Sequence, residues 1–184
     1  MTDKITRLQP DLLRMRAPSA LADLKGWLVW KFEDHPNGGK PLKVPYYTTG
    51  AKRVGRQGGA TDRSRLVTFD AARDAALKKG FDGVGLALMP EFGIVALDFD
   101  ACLTGKGEAP KDVLEIASDT YTEVSPSGTG LRAFVRGDLG NRKSKAVPEN
   151  DVYGFETFSS SGYVTFTGEQ FWTNEMFGNA DHLA

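Results

Sequence analysis

Three short stretches of this chain hold side chains that could do chemistry. The first is Leu97-Asp98-Phe99-Asp100, which closes the apolar run Gly93-Ile94-Val95-Ala96-Leu97. In a strand the side chains alternate faces, so Asp98 and Asp100 point the same way, roughly 6.5–7 Å apart along the chain. Two ionised carboxylates on one face repel, and a cation, protonation or solvent must relieve them. A divalent metal suits such a pair, because Mg²⁺ binds through one or two carboxylates and keeps positions open for substrate phosphates. The plainer reading is that Asp98 ends the strand and Asp100 caps whatever follows.

The second stretch is Ser125-Pro126-Ser127-Gly128-Thr129-Gly130-Leu131-Arg132. Small residues let a backbone approach an anion and offer N–H and O–H donors, and Arg132 adds a planar fork for phosphate oxygens. An ordinary hairpin turn has the same composition. No Gly-Lys-Ser/Thr follows, which argues against a P-loop ATPase. The third stretch is Phe155-Glu156-Thr157-Phe158, a carboxylate between apolar residues. Glu156 either faces solvent or faces Asp98 and Asp100 across a sheet. In the latter case three carboxylates from two strands would hold two metal ions roughly 3.5–4 Å apart, as phosphoryl-transfer sites do. Asp151 competes for this place. Lys40 and Lys43 are further ligand contacts if their strand faces the site, and otherwise solvated surface lysines.

The chain of 184 residues has 40% hydrophobic and 26% charged residues, the make-up of one globular domain with room for a core. Its net charge of −1 hides a segregation. Between Lys31 and Arg65 stand eight basic residues (Lys31, Lys40, Lys43, Lys52, Arg53, Arg56, Arg63, Arg65) against three acids. Between Arg132 and Lys145 stand five more, including Arg142 and Lys143, against Asp138, and after Lys145 there is no Lys or Arg. Basic loops beside an acidic centre suit a polyanion handled with metal ions. Cys102 is the single cysteine, so an intrachain disulfide and a cysteine-built zinc site are excluded. No apolar run reaches membrane-spanning length and Met1-Thr2-Asp3-Lys4 does not open a signal peptide, which points to a cytoplasmic protein with no membrane partner.

The elements that must position these residues follow from pattern. A short helix is predicted over Pro18 to Leu24, ending at Gly26. Strands are predicted over Trp27 to Phe32 and Lys40 to Tyr47, the second an edge strand because of Pro41 and Pro45. Thr48 to Arg65 reads as a mobile, exposed loop. Thr68 to Lys79 reads as a helix capped by Thr68 and stopped by Gly80. Val84 to Met89 and Gly93 to Phe99 read as an antiparallel hairpin. Then come a helix from Pro110 to Ser118, strands at Tyr121 to Val124 and Leu131 to Val135, a basic loop from Asp138 to Asn150, and strands at Val152 to Phe158 and Tyr163 to Phe166. The sum is an α+β domain, mostly antiparallel.

Taken in order, Leu97-Asp98-Phe99-Asp100, Glu123-Val124-Ser125-Pro126-Ser127-Gly128-Thr129-Gly130-Leu131-Arg132, and Phe155-Glu156 with Gly162-Tyr163-Val164-Thr165-Phe166-Thr167-Gly168 resemble the primase-polymerase domain of the archaeo-eukaryotic primase superfamily. The versions in phage and plasmid replication proteins are the most similar. Trp27-Leu28-Val29-Trp30-Lys31, Gly39-Lys40-Pro41-Leu42-Lys43-Val44-Pro45-Tyr46 and Gly83-Val84-Gly85-Leu86-Ala87-Leu88 carry the resemblance toward the N-terminus. It spans roughly residues 25 to 170, which sets off a lead-in at 1–24, a catalytic domain at 25–170 and a tail at 171–184.

The resemblance implies an RRM-like catalytic sheet with a small N-terminal α/β unit. It implies template-directed nucleotide addition in phage or mobile-element replication, with two Mg²⁺ or Mn²⁺ ions. Asp98, Asp100 and Glu156 fall on the family's metal positions. Ser125, Ser127, Gly128, Gly130 and Arg132, with Lys40 and Lys43, would hold the nucleoside triphosphate. Lys52, Arg53, Arg56, Arg63, Arg65, Arg142, Lys143 and Lys145 would track a single-stranded DNA template and primer, and a helicase would work in the same or another chain. One departure stands out. The family has a His where this chain has Arg132, and arginine binds phosphate but exchanges no proton near neutral pH. That favours, as an alternative, a weak or inactive nucleic-acid-binding module that recruits replication proteins.

Overall fold

A computed structural model describes residues 10–139, 145–147 and 152–171. The elements in chain order are α1 (Ser19–Ala22), β1 (Trp27–Glu33), β2 (Leu42–Tyr46), α2 (Ala60–Arg63), α3 (Phe69–Lys79), β3 (Gly83–Ala87), β4 (Ile94–Asp100), α4 (Lys111–Asp119), β5 (Thr122–Val124), β6 (Leu131–Arg136), β7 (Lys145–Val147), β8 (Gly154–Phe158) and β9 (Tyr163–Phe166). They make two sheets, one in the order β2-β1-β3-β9 and one in the order β5-β6-β4-β8-β7. Every described ladder is antiparallel. The fold is α+β, as the sequence predicts, and β2 is an edge strand.

The two sheets share one core. Trp27 and Val29 of β1, Val84 and Leu86 of β3 and Phe166 of β9 meet Ile94 and Ala96 of β4 and Phe134 of β6. The Trp27 ring sits edge-on to Phe69 of α3 at 4.9 Å and to Phe166 at 5.1 Å, and Tyr121 stacks on Phe166 at 5.7 Å. The lead-in joins this core through Met15 and Leu21, whose carbonyl accepts the Trp27 indole N–H at 2.8 Å. On its other face the second sheet packs Phe99, Leu131 and Ala133 against Val113 and Ala117 of α4. A strand covered on both faces needs apolar side chains at consecutive positions, which is why Ile94 to Leu97 does not alternate.

Three expectations are corrected. The segments around Val84 and Val95 form no hairpin, because β3 pairs with β1 and β9 while β4 pairs with β6 and β8. A single 3₁₀ turn at Pro90–Phe92, closed by Gly93 at φ +59°, carries the chain from one sheet to the other. The glycines of β3 decide its neighbours. A Cβ at Gly83 would meet the Trp30 indole at 2.8 Å and one at Gly85 would meet the Tyr163 ring at 2.8 Å. Those bare positions let β3 lie centrally between two aromatic strands. The N-terminal unit is accordingly completed by β9, from the far end of the chain.

The basic segment 48–65 is the second correction. It is tethered by a buried ion pair, with Arg53 Nε and Nη2 donating to Asp62 at 2.9 and 2.8 Å. Tyr47 Oη and the Gly58 amide donate to the same carboxylate at 2.8 and 2.7 Å. Burial alone would raise Asp62, but these donors hold it at about 2. Arg53 Nη1 also donates to the Gly162 carbonyl at 3.0 Å, and the Gly162 amide donates to Gln57 Oε1 at 2.8 Å, tying the segment to the turn between β8 and β9. The composition shows only the charges, not that one pair of them turns inward. Thr68 precedes α3 but makes no side-chain cap.

Removing one partner of a buried pair strands the other's charge, so Arg53→Ala should cost about 3–5 kcal/mol in urea unfolding. Exposed Arg56→Ala should stay within about 0.5 kcal/mol.

Candidate active site

Four charged residues line up across four adjacent strands of the second sheet. The register pairs Glu123 of β5 with Arg132 of β6, Arg132 with Asp98 of β4, and Asp98 with Glu156 of β8. Directly opposed residues in antiparallel ladders project from the same face. Two positions along each strand, the same face carries Ala96, Phe134 and Phe158 of the core, so the charged row begins where the apolar packing between the sheets ends. Asp100 lies one further step out and is exposed.

Arg132 is the centre of the row. Its Nε and Nη2 donate to Asp98 Oδ1 at 3.1 and 2.9 Å. Its Nη1 donates to Thr165 Oγ1 at 2.8 Å and to the Thr165 carbonyl, on β9 of the opposite sheet. Arg132 is 5% exposed and Asp98 8%. On the far side Glu123, wholly buried, accepts the amides of Thr167 and Gly168 at 3.1 and 3.0 Å and the Tyr121 hydroxyl at 3.3 Å. Burial pushes Glu123 up to about 7, against the opposing pull of the Arg132 charge and the two amides. Glu156 is also raised, first by burial and then by the negative charges of Asp98 and Asp100.

The opposite wall comes from β2 and the loop before it. Lys43 is drawn down to about 8, chiefly by burial and next by the charge of Arg132, while Asp98 and Asp100 pull it back up. A cavity of about 500 Å³ opens there, lined by Phe32, Gly39, Lys40, Pro41, Lys43, Pro126, Ser127 and Thr129. The Ser125–Gly130 turn is closed by the Gly128 amide on the Ser125 carbonyl at 2.8 Å and the Ser125 amide on the Gly130 carbonyl at 2.9 Å. A Cβ at Gly130 would lie 2.5 Å from the Phe99 carbonyl oxygen, so only glycine lets the turn pack against the backbone at the end of β4. The Ser125 and Ser127 hydroxyls share a 2.8 Å hydrogen bond.

Asp98, Asp100 and Glu156 therefore share one face, and Lys40, Lys43 and Ser127 line a cavity beside it. Ser125, Gly128, Gly130 and Arg132 belong to the turn and strand between them. The flanking basic residues do not converge. Arg53 is internal, Lys52 pairs with Glu33 at 2.6 Å, Arg63 pairs with Glu91, and the Arg65 guanidinium lies 5.1 Å from the Tyr47 ring centre. Arg56 is exposed. Lys145 opens β7, next to β8, while Arg142, Lys143 and Asp151 lie outside the described residues.

Sequence reasoning passed over Glu123 and Thr165. A lone acid inside the strand Tyr121 to Val124 is the same signal that singled out Glu156, and it was there to read. Thr165 carries no signal, since its role exists only when β9 reaches the other sheet.

Oxygen donors of this kind suit a hard divalent cation, which would also relieve the repulsion that Asp98 and Asp100 add to the effect of burial at Glu156. Among the described residues no three His, Cys, Asp or Glu side chains converge on one point, and Asp98 already has a cation in Arg132.

No family model matches the chain. Over 165 residues, 87% of its length, it is 30% identical to the DNA primase-polymerase of Nitratiruptor phage NrS-1. The chain spans about a fifth of that relative's length, the matched part being 21% of it.

Glu123 gives a measurable pH signature. Its folded pKa of about 7 exceeds its ordinary 4.5, so the folded state holds the proton more tightly. The stability it contributes is complete below pH 4.5 and is lost as pH rises through about 7, an effect on the order of 2–3 kcal/mol. Urea unfolding across that range should show this decline in wild type and its removal in Glu123→Gln.

Proposed function

We propose that this chain, similar over most of its length to part of a phage DNA primase-polymerase, is a domain of that type and performs template-directed nucleotidyl transfer, adding nucleotides to a primer on single-stranded DNA. The observation that carries the reading is the in-register row of Asp98 and Glu156, with Asp100 beyond it, near a cavity lined by Lys40, Lys43 and Ser127, where Lys43 feels the charges of Asp98 and Asp100. In the reaction the primer 3′ oxygen forms a bond to the α-phosphorus of a nucleoside triphosphate. The bond to the β-phosphate oxygen breaks and pyrophosphate leaves.

Asp98, Asp100 and Glu156 would hold Mg²⁺ or Mn²⁺. Divalent ions there supply a lowered pKa at the attacking hydroxyl and neutralise charge on the triphosphate. The resemblance implies two such ions. The rest of the work falls to positioning and preset charge. Lys43 and Lys40 face the cavity as donors to phosphate oxygens, and the glycine turn at 128–130 offers backbone amides where a side chain would block approach. Phe32, Pro41 and Pro126 give the same cavity an apolar wall suited to a base or sugar. Lys52, Arg56, Arg63 and Arg65 would meet the template backbone, with Arg142, Lys143 and Lys145. The Lys52–Glu33 and Arg63–Glu91 pairs are solvent-facing, and such pairs are weak enough to exchange for phosphate. Arg53 drops out of this set because Asp62 already occupies it.

One observation favours a second reading, a DNA-binding module without catalysis. Asp98 is engaged by Arg132, an arginine where the family has a histidine. That module would bind DNA with neither metal nor Asp98.

Primer extension on a single-stranded template separates the two. Metal-dependent extension that disappears in Asp98→Ala/Asp100→Ala, in a protein that still folds, supports the transferase. Salt-sensitive DNA binding without extension, unchanged in the double variant, supports the module.

Lys43 supplies an independent check. Its ammonium is charged below about pH 8 and neutral above, so nucleotide KM should rise as pH passes through about 8. Lys43→Met should raise KM by about 10-fold or more at neutral pH. Lys43→Arg, charged throughout, should flatten the profile.

A further inference from the structure

We propose that Arg132 is a resident counter-charge at Asp98, so that the acidic face takes a single divalent ion, at Asp100 and Glu156, rather than two. This rests on the reading of Asp98, Asp100 and Glu156 as the ion-holding face and narrows it, with Asp98 paired to Arg132 in place of binding an ion.

The contact is close and dry. Two guanidinium nitrogens share Asp98 Oδ1 at 3.1 and 2.9 Å, and both residues are less than a tenth exposed. Water and salt screen such a pair poorly, so an ion arriving at Asp98 would face an undiminished positive charge at contact distance. Arginine cannot yield by losing its proton.

Nor can the side chain easily swing away. Its third nitrogen is held by the Thr165 hydroxyl and carbonyl on the opposite sheet, and Glu123 stands beside it in register with no exposure of its own. Withdrawing Arg132 would strip the buried Asp98 carboxylate of its cation and cut the hydrogen bonds from Arg132 to Thr165 on the other sheet. A lysine or histidine could not keep all of these contacts, because only the guanidinium presents three nitrogens in a plane.

Negative charge remains on the outer side of the row. Asp100 is exposed, and Glu156 lies in register with Asp98 on the neighbouring strand, one same-face step inside Asp100. An ion bound between Asp100 and Glu156 sits further from the guanidinium and beside the phosphate cavity. Arg132 is thus a positioning residue. It fixes the Asp98 carboxylate, joins the sheets and leaves one cation place instead of two.

Mn²⁺ titration followed by the electron paramagnetic resonance of free Mn²⁺ counts the ions directly on the whole chain. Wild type should bind one Mn²⁺. Asp100→Asn or Glu156→Gln should weaken it at least 10-fold. Asp98→Asn/Arg132→Met, which removes the pair with no change in net charge, should hold that ion within 3-fold of wild type. Arg132→Met alone, if circular dichroism shows it folded, should gain a second ion.

Two ions in wild type, or a loss above 10-fold in the paired variant, would overturn the proposal while leaving the ion-holding face standing. No binding by wild type would overturn both. The wild-type count needs no variant to fold.

Discussion

The ion pair between Arg132 and Asp98 is the constraint on which the site depends. It lies where two sheets diverge, and Arg132 reaches from one to the other through Thr165. A buried ion pair is poor evidence for stability by itself, since desolvation offsets much of the attraction. Its consequence here is geometric. The charged row Glu123, Arg132, Asp98, Glu156 sits in one register across four strands, so a shift of any strand by one residue would turn its charge into the helix-covered core.

The row can exist because the apolar packing stops at a defined line. Ala96, Phe134 and Phe158 fill the space between the sheets, and the next same-face positions are Asp98, Arg132 and Glu156. Beyond that line lies a cavity lined by Lys43 and Lys40 with apolar Phe32 and Pro41, and Lys43 there feels the charges of Asp98 and Asp100. Burial and like charge set the directions of the shifts: Glu156 is raised by burial and by Asp98 and Asp100, and Lys43 is lowered by burial and by Arg132.

A second buried pair does the same work further out. Arg53 and Asp62 hold the segment 48–65 against the β8–β9 turn, close to where β9 begins. Both buried arginines thus act on the C-terminal strands from a distance in sequence, one through Gly162 and one through Thr165. The basic composition that suggests nucleic-acid contacts divides in the folded chain into a structural part and an exposed part.

The amino-acid sequence by itself determined the α+β class, most element positions, the edge placement of β2 and the shared face of Asp98 and Asp100. These follow from local rules: side-chain alternation, proline at 41 and 45, glycine after α3, and apolar runs of strand length. It also carried the resemblance to phage-type primase-polymerase domains through the order of its motifs. Tertiary structure alone decided that β3 and β4 part into different sheets, since that choice rests on Trp30 and Tyr163 filling the places left bare at Gly83 and Gly85. It decided that Arg53 faces inward and that Arg132 meets Asp98 and Thr165, residues 34 and 33 positions away in sequence. A charge looks the same in a sequence whether water or a buried carboxylate will compensate it. Only the packing of strands distant in sequence selects between them.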